Sequence, residues 1–301
     1  MRYRNYEELI SSISALRLKR PFAVVCAEEA HTLQAVLLAC RQDLITPLLI
    51  GDASAIRTML ESYGVSLSEF EIIDRRDTDT AVKTAIELAN SGEVNGIMKG
   101  RLETAQLMRP LLRSESKIRV SSVVCAMSLM EVPNYHKLIA GSDPALCIAP
   151  TLEEKAEILR NAVTALNNIG IDIPKVAVLA AVETPNPKMP ETMDALELKR
   201  MNQEGLLPGC VVDGPLSYDL CMDPESAAIK GCDSPVAGDP DLLLYPNLAV
   251  GNVLSKALVL SAGAVGSSII LGTKIPVVLP SRSALVEEKT RNILLAAASV
   301  L

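Results

Sequence analysis

Residues 21–51 read PFAVVCAEEAHTLQAVLLACRQDLITPLLIG, and the order of patterns within them decides the fold. Pro21 to Ala27 is a short β-branched run bounded by proline, which predicts a buried strand. From 28 to 40 the apolar residues fall at helical spacing. Pro47-Leu-Leu-Ile-Gly51 is a second strand that ends in glycine. A strand, a helix of 10–15 residues and a second strand make a βαβ unit, whose strands run parallel. The pattern continues outward. Residues 6–18 precede it as a helix. Helices over 52–63 and 78–91 alternate with strands over 70–73 and 96–100. Beyond 100, strands are predicted within 120–130 and over 146–149, 174–181, 210–213, 242–245, 268–272 and 276–279. Helices are predicted over 151–169, 192–202, 251–261 and 286–295. The helix at 151 opens on a capping box, Thr151-x-x-Glu154. The Pro- and Asp-rich stretch 213–241 reads as the longest loop, either functional or a set of ordinary turns.

Composition narrows the class. The chain has 301 residues, enough for two α/β domains or one large one. Hydrophobic residues make up 49% and aromatics only 3%, with no Trp, so the core is aliphatic. Few aromatics argue against single-stranded nucleic-acid binding, which stacks bases on rings. A net charge of -7 with no basic run argues against duplex binding. Seven cysteines, without a CxxC or a zinc-ligand spacing, read as small buried hydrophobes in a reducing cytoplasm. The first 20 residues lack the apolar stretch of a signal peptide, and no apolar run reaches the ~18 residues of a membrane span.

Two basic segments stand out as anion sites. The first is Met98-Lys99-Gly100-Arg101-Leu102-Glu103-Thr104 followed by Arg109, and the second is Pro280-Ser281-Arg282. Arginine forks suit phosphate, a serine hydroxyl donates to an oxyanion, and a helix N-terminus offers free N–H groups. Gly100, at a strand end, lets backbone approach a ligand closely. The first segment is not a P-loop, because the GxxxxGK[ST] spacing is absent. Each has a plainer reading: Lys99 and Arg109 as solvated surface cations, and Ser281 as the N-cap of the last helix. Glu287 and Glu288 fit either a general base or a favourable charge at a helix start. Asn247, Gly251 and Asn252, after the strand at 242–245, read as ligand contacts or as a strand-to-helix turn with an Asn cap. His31 and His136, the only histidines, have no cluster of ligand-type residues around them in sequence. Asp143 and Pro150 read as structural. A dinucleotide GxGxxG is missing, and Gly263-x-x-Gly266 reads as close packing.

An ordered set of segments resembles the phosphate acetyl/butyryltransferase family, and most closely its phosphate butyryltransferase branch. These are MKGRLET (98–104) with Arg109, NYHKLIAGSDPALCIAPTLEEK (134–155), KVAVLAAVETPNPKMPET (175–192), VVDGPLSYD (211–219), DPDLLLYPNLAVGN (239–252) and ILGTKIPVVLPSR (270–282). The resemblance implies an α/β fold of two three-layer α/β/α domains with mostly parallel sheets, an isopropylmalate dehydrogenase-like architecture with the active site in the interdomain cleft. The first domain would comprise 1–130 plus 270–301, and the second, inserted, 131–269. It implies a reversible reaction of acyl-CoA and phosphate to acyl phosphate and CoA, by direct thiol attack in a ternary complex. A butyryl or branched short acyl group is the expected substrate. Coenzyme A is then a co-substrate; no tightly bound cofactor and no metal are expected, and the assembly would be a homodimer. Catalytic roles fall on Ser281 as oxyanion donor, Arg282 on phosphate and Glu288 as base, with Glu287 competing for the last. Lys99, Gly100, Thr104, Arg109, Asn247, Gly251 and Asn252 fall in phosphate- or substrate-binding positions. Three departures concern Arg101 and Glu103, where Leu and Asp are more usual, Val259, where the acetyl branch has an arginine, and Glu288, where that branch often has aspartate. Two other readings are a hydroxyacid dehydrogenase of related architecture, which needs a carboxylate cluster for a metal, and a non-catalytic homologue that binds acyl-CoA or acyl phosphate.

Overall fold

A computed structural model describes residues 3–16, 19–281 and 283–300. The chain packs into two compact units. One, the split unit, comprises Glu7–Ser121 with Ser267–Leu301; the other, the inserted unit, comprises Met1–Tyr6 with Ser122–Gly266. The boundaries expected at 130/131 and 269/270 therefore lie at 121/122 and 266/267. The shift at the first has a simple cause, since the strand Cys125–Glu131 pairs antiparallel with Ile139–Ser142 of the inserted unit.

The first stretch of the split unit runs α1 (Tyr6–Ala15), β1 (Arg20–Val25), α2 (Ala30–Arg41), β2 (Ile45–Gly51), α3 (Ala53–Ser62), β3 (Glu71–Asp74), α4 (Thr78–Ser91), β4 (Gly96–Lys99) and α5 (Thr104–Leu112). The inserted unit holds β5 (Cys125–Glu131), β6 (Ile139–Ser142), α6 (Leu152–Asn168), β7 (Lys175–Leu179), α7 (Pro190–Gln203), β8 (Val211–Leu216), α8 (Tyr218–Met222), α9 (Pro224–Ile229), β9 (Leu242–Leu244) and α10 (Leu248–Ala262). The chain then returns through β10 (Val265–Leu271) and β11 (Val277–Val278) to α11 (Val286–Ala298).

Strand order in the split unit is β3-β2-β1-β4-β11-β10. All pairs are parallel except β10 with β11. Phe22 to Val25 of β1 and all of β4 are buried, as expected for central strands covered on both faces. Helix α11 packs against α2. In the inserted unit the order is β5-β6-β9-β7-β8, parallel apart from the β5–β6 pair. Its core gathers Ile139, Ala177 and Leu243 from the strands and Tyr245 just after β9, with Leu220, Cys221 and Leu258 from the helices.

Helix starts follow local chemistry. Asp52, Asp77 and Thr151 accept hydrogen bonds from the first backbone N–H groups of α3, α4 and α6. Such caps each contribute about 1 kcal/mol. Gly92 and Gly263, with φ of 81° and 72°, end α4 and α10 in the left-handed conformation that glycine adopts without a Cβ clash.

Three expectations are corrected. Residues 146–149 form no strand. Asp143 Oδ1 accepts from the N–H groups of Ala145 (2.5 Å) and Leu146 (2.8 Å), so a local turn takes the groups a ladder would use. The strand of this region is β6, whose Ile-Ala-Gly-Ser sequence carries no β-branched run. Nor is 213–241 one long loop: β8 runs to Leu216, and two short helices follow. Asp223 caps α9 and Pro224 occupies its first turn, so Asp-Pro starts a helix here. Helix α10 begins at Leu248, three residues before the expected start, because Asn247 caps it.

Candidate functional site

In the split unit the chain leaves β1 on one side for β2 and β3, and returns to the other side for β4. Ligands of open α/β sheets occupy the crevice beyond the carboxyl ends of strands where the order reverses this way. A cavity of about 520 Å³ is lined here by residues that follow β1 (Glu29), β4 (Lys99 to Glu103, Gln106) and β11 (Pro280, Ser281), together with Lys289 of α11.

Lys99 is the last residue of β4 and is 4% exposed, and its Nζ donates to the Leu102 carbonyl at 3.1 Å. It is a buried cavity-lining ammonium, unlike the solvated surface lysine of the plainer reading. Gly100 also lines the cavity, and its lack of a Cβ serves a second close approach. A Cβ there would meet the Cys26 carbonyl oxygen at 2.2 Å and that of Val25 at 2.8 Å. The close approach is backbone to backbone: Gly100 N–H donates to Val25 O (2.8 Å) and Arg101 N–H to Cys26 O (2.7 Å). Thr104 opens α5 and is exposed, and Gln106 Oε1 accepts from the Glu103 N–H at 2.9 Å, so the helix start is closed by its own side chain. Neither Thr104 nor Arg109, exposed in the last turn of α5, lines the cavity.

Ser281 lines the cavity and is exposed, with its Oγ 3.0 Å from the Ser283 Oγ. It is not the N-cap of the last helix, a position that Leu285 takes without a side-chain bond. Arg282 lies outside the described residues. Glu287 and Glu288 occupy the first turn of α11, favourable for anions near a helix N-terminus; Glu288 is half-buried and Glu287 exposed, and neither lines the cavity.

Sequence reasoning missed the buried group beside them. Lys289, 3% exposed, donates through Nζ to Glu29 Oε2 at 2.6 Å and to Thr32 Oγ1 at 3.2 Å. Glu29 caps α2, accepting from the N–H groups of His31 (3.1 Å) and Thr32 (2.8 Å) and from the Thr32 hydroxyl (2.5 Å). Burial alone would raise the Glu29 pKa, but the hydrogen bonds from Lys289 and Thr32 outweigh it and hold the carboxyl at about 2. A lysine directly after the two first-turn acids of α11, on a helix otherwise buried, was the available signal.

The remaining candidates lie in the inserted unit. Asn247 caps α10, its Oδ1 accepting from Val250 N–H at 3.1 Å. Gly251 lies within the helix, where a Cβ would come within 2.6 Å of the Asp143 carbonyl oxygen, and Asn252 Nδ2 donates to Pro144 O at 3.2 Å. Gly251 and Asn252 therefore fasten α10 to the turn after β6. Asn247 also borders a second cavity, about 700 Å³, walled mainly by apolar residues such as Leu179, Tyr218, Val253 and Leu254. Asp143 is structural, as its sequence position suggested, and accepts from Ala126 N–H as well. Among the described residues no group of three or more His, Cys, Asp or Glu is placed to hold a metal ion, and no helix is long and apolar enough to cross a membrane.

A cavity at the switch point of a parallel sheet, with Lys99, Arg101 and Lys289 in its wall and a serine on its rim, suits an anionic ligand of an α/β protein, and the comparisons name the class. The family model described as "Phosphate acetyl/butaryl transferase" matches residues 77–297, and the chain belongs to that family. It is 39% identical over 278 residues to the phosphate acetyltransferase of Thermotoga maritima, covering 92% of this chain and 94% of that one. It is 35% identical over 294 residues to the phosphate butyryltransferase of Clostridium acetobutylicum, covering 98% and 97%. Among solved structures, a branched-chain phosphotransacylase from Enterococcus faecalis V583 superposes with a TM-score of 0.82 at 29% identity, over 93% of this chain and 99% of that one. The protein is a phosphate acyltransferase.

Proposed function

We propose that the enzyme interconverts a short-chain acyl-CoA and phosphate with acyl phosphate and CoA, and that its acyl group is butyryl or a branched short chain. The acyltransfer to and from phosphate is supported by the cavity at the carboxyl ends of β4 and β11, lined by the buried Lys99 and by Ser281, and the acyl group rests on the resemblance to the butyryltransferase branch. In the direction of acyl-CoA synthesis the CoA thiol gives its proton to Glu288, the base that the family resemblance implies, and its sulfur attacks the acyl carbon. The carbon–oxygen bond to phosphate then breaks, and phosphate leaves. Thiols are weakly ionised at neutral pH, so a base raises the fraction of nucleophile. Ser281 donates to the oxyanion of the tetrahedral intermediate. Lys99 offsets the phosphate charge from the cavity wall, and the family resemblance adds Arg282 and Arg109 to that task. Alignment of both substrates in one complex supplies much of the rate. The family resemblance, together with the exposed Val253 and Leu260 on α10, supports assembly as a homodimer.

The test is phosphate-dependent release of CoA thiol from acetyl-, butyryl- and isobutyryl-CoA. Faster turnover of the four-carbon donors is the expected ranking. A clear preference for acetyl-CoA overturns the substrate assignment and leaves the acyltransfer intact.

A further inference from the structure

We propose that Lys289 is a second phosphate-binding ammonium of the split unit's cavity, and that Glu29 is the resident carboxylate with which an incoming phosphate competes for it. The inference rests on the acyltransfer reading above.

Lys289 is nine-tenths buried and more, yet it forms part of the cavity wall. An ammonium carries three N–H donors. Two of them are used inside the protein, on Glu29 Oε2 and on the Thr32 hydroxyl. The third is available to the cavity that the side chain borders. The wall as described carries three basic side chains, Lys99, Arg101 and Lys289, against two acidic ones, Glu29 and Glu103. A dianionic ligand suits that balance, and Lys99 and Lys289 approach it from different elements, β4 and α11.

Glu29 is suited to a placeholder's role because Lys289 is not its only donor. As N-cap of α2 it keeps three other donors, the N–H groups of His31 and Thr32 and the Thr32 hydroxyl, and it faces the positive end of the helix. Its carboxyl stays ionised at neutral pH. When phosphate enters, Lys289 gains a second anionic partner while Glu29 retains its cap. Thr32, 0% exposed, accepts from Lys289 and donates to Glu29, so it fixes the ammonium between the two.

A purely structural ion pair and a shared phosphate site differ in sign. If the pair only holds α11 to α2, then Lys289→Met and Glu29→Gln damage the same thing and both weaken phosphate use. If Glu29 competes with phosphate, the two variants move in opposite directions. The experiment measures KM for inorganic phosphate and for butyryl-CoA in steady state, with direct calorimetric titration of phosphate in parallel. For Lys289→Met the expected result is a phosphate KM about tenfold higher, with KM for butyryl-CoA changed less than about twofold. Glu29→Gln should lower the phosphate KM, by roughly two- to fivefold. A rise in phosphate KM in both variants, or an equal effect of Lys289→Met on both substrates, overturns the proposal. If Lys289→Met does not fold, the Glu29→Gln titration decides alone: tighter phosphate binding supports competition, and weaker binding refutes it. Absence of phosphate-dependent thiol release in the unaltered enzyme would sink the acyltransfer reading, whereas the titration of phosphate would still report on Lys289.

Discussion

The two units each carry a cavity at the carboxyl ends of parallel strands, and the two cavities differ in chemistry. That of the split unit is walled by Lys99, Lys289, Glu29, Arg101 and Glu103; that of the inserted unit by Leu179, Tyr218, Val250, Val253 and Leu254. Both lie where strands hand over to helices, and in both a helix cap stands at the edge, Glu29 in one and Asn247 in the other. Sheet topology thus provides a crevice in each unit. The side chains at the strand ends decide whether it receives an anion or an apolar group.

The largest effect expected along this contrast is at Ser281. Ser281→Ala should lower kcat by roughly 10²–10³ with the fold intact, read by thiol release, if the hydroxyl acts on the oxyanion. A change confined to KM would make it a binding group, and the charged cavity would then differ from the apolar one in affinity alone. Next come two glycines that hold the frames of the two sites. Gly100→Ala pushes a Cβ against the Cys26 carbonyl, and Gly251→Ala one against the Asp143 carbonyl. Each should cost about 1–3 kcal/mol in denaturant unfolding, because backbone cannot yield as a side chain does. Loss of activity should accompany the first at a smaller loss of stability than the second, since Gly100 adjoins Lys99. Equal behaviour would erase the contrast.

Acid separates the units in a third way. Glu29 is held at about 2, below its ordinary 4.5, so the stability it contributes is complete above about pH 4.5 and is lost as pH falls toward 2. Denaturant unfolding of the unaltered protein and of Glu29→Gln should therefore converge as the solution is acidified. In the inserted unit Asp239 is shifted further. Burial would raise its pKa, but hydrogen bonds from Lys137, Lys175 and His136 drive it well below the usual carboxylate range. The carboxylate of the inserted unit should accordingly protonate later than Glu29, as NMR titration of the two carboxyls would show. The smallest effect is at Asn247. Asn247→Ala removes one helix cap and should cost about 1 kcal/mol, with thermal unfolding as the measure.

Much of the fold was legible in sequence because buried parallel strands announce themselves. Residues 21–27 and 174–181 are apolar runs between breakers, and they hold β1 and β7. Strand β6 was not legible, since Ile-Ala-Gly-Ser has neither length nor a run of β-branched residues, and its place is set by partners on both sides. Helix starts at Asp52 and Thr151 could be read from one residue and its neighbours. The start of α9 could not, because Asp-Pro serves turns and helices alike. In the candidate site, Lys99 and Ser281 were visible as residue types at strand ends. The Glu29–Lys289 pair was not, because the two residues stand 260 positions apart and each alone passes for an ordinary helix-surface charge.

The main-chain bonds that carry β4 one step past its last residue have a further consequence. Gly100 and Arg101 are tied to Val25 and Cys26 through backbone atoms, bonds that do not depend on which side chain stands at 101. The main-chain anchor of the strand end is thereby distinct from the side chains of the rim. Substitutions in the rim can therefore change the side chains that face the cavity while the end of β4 stays in register with β1.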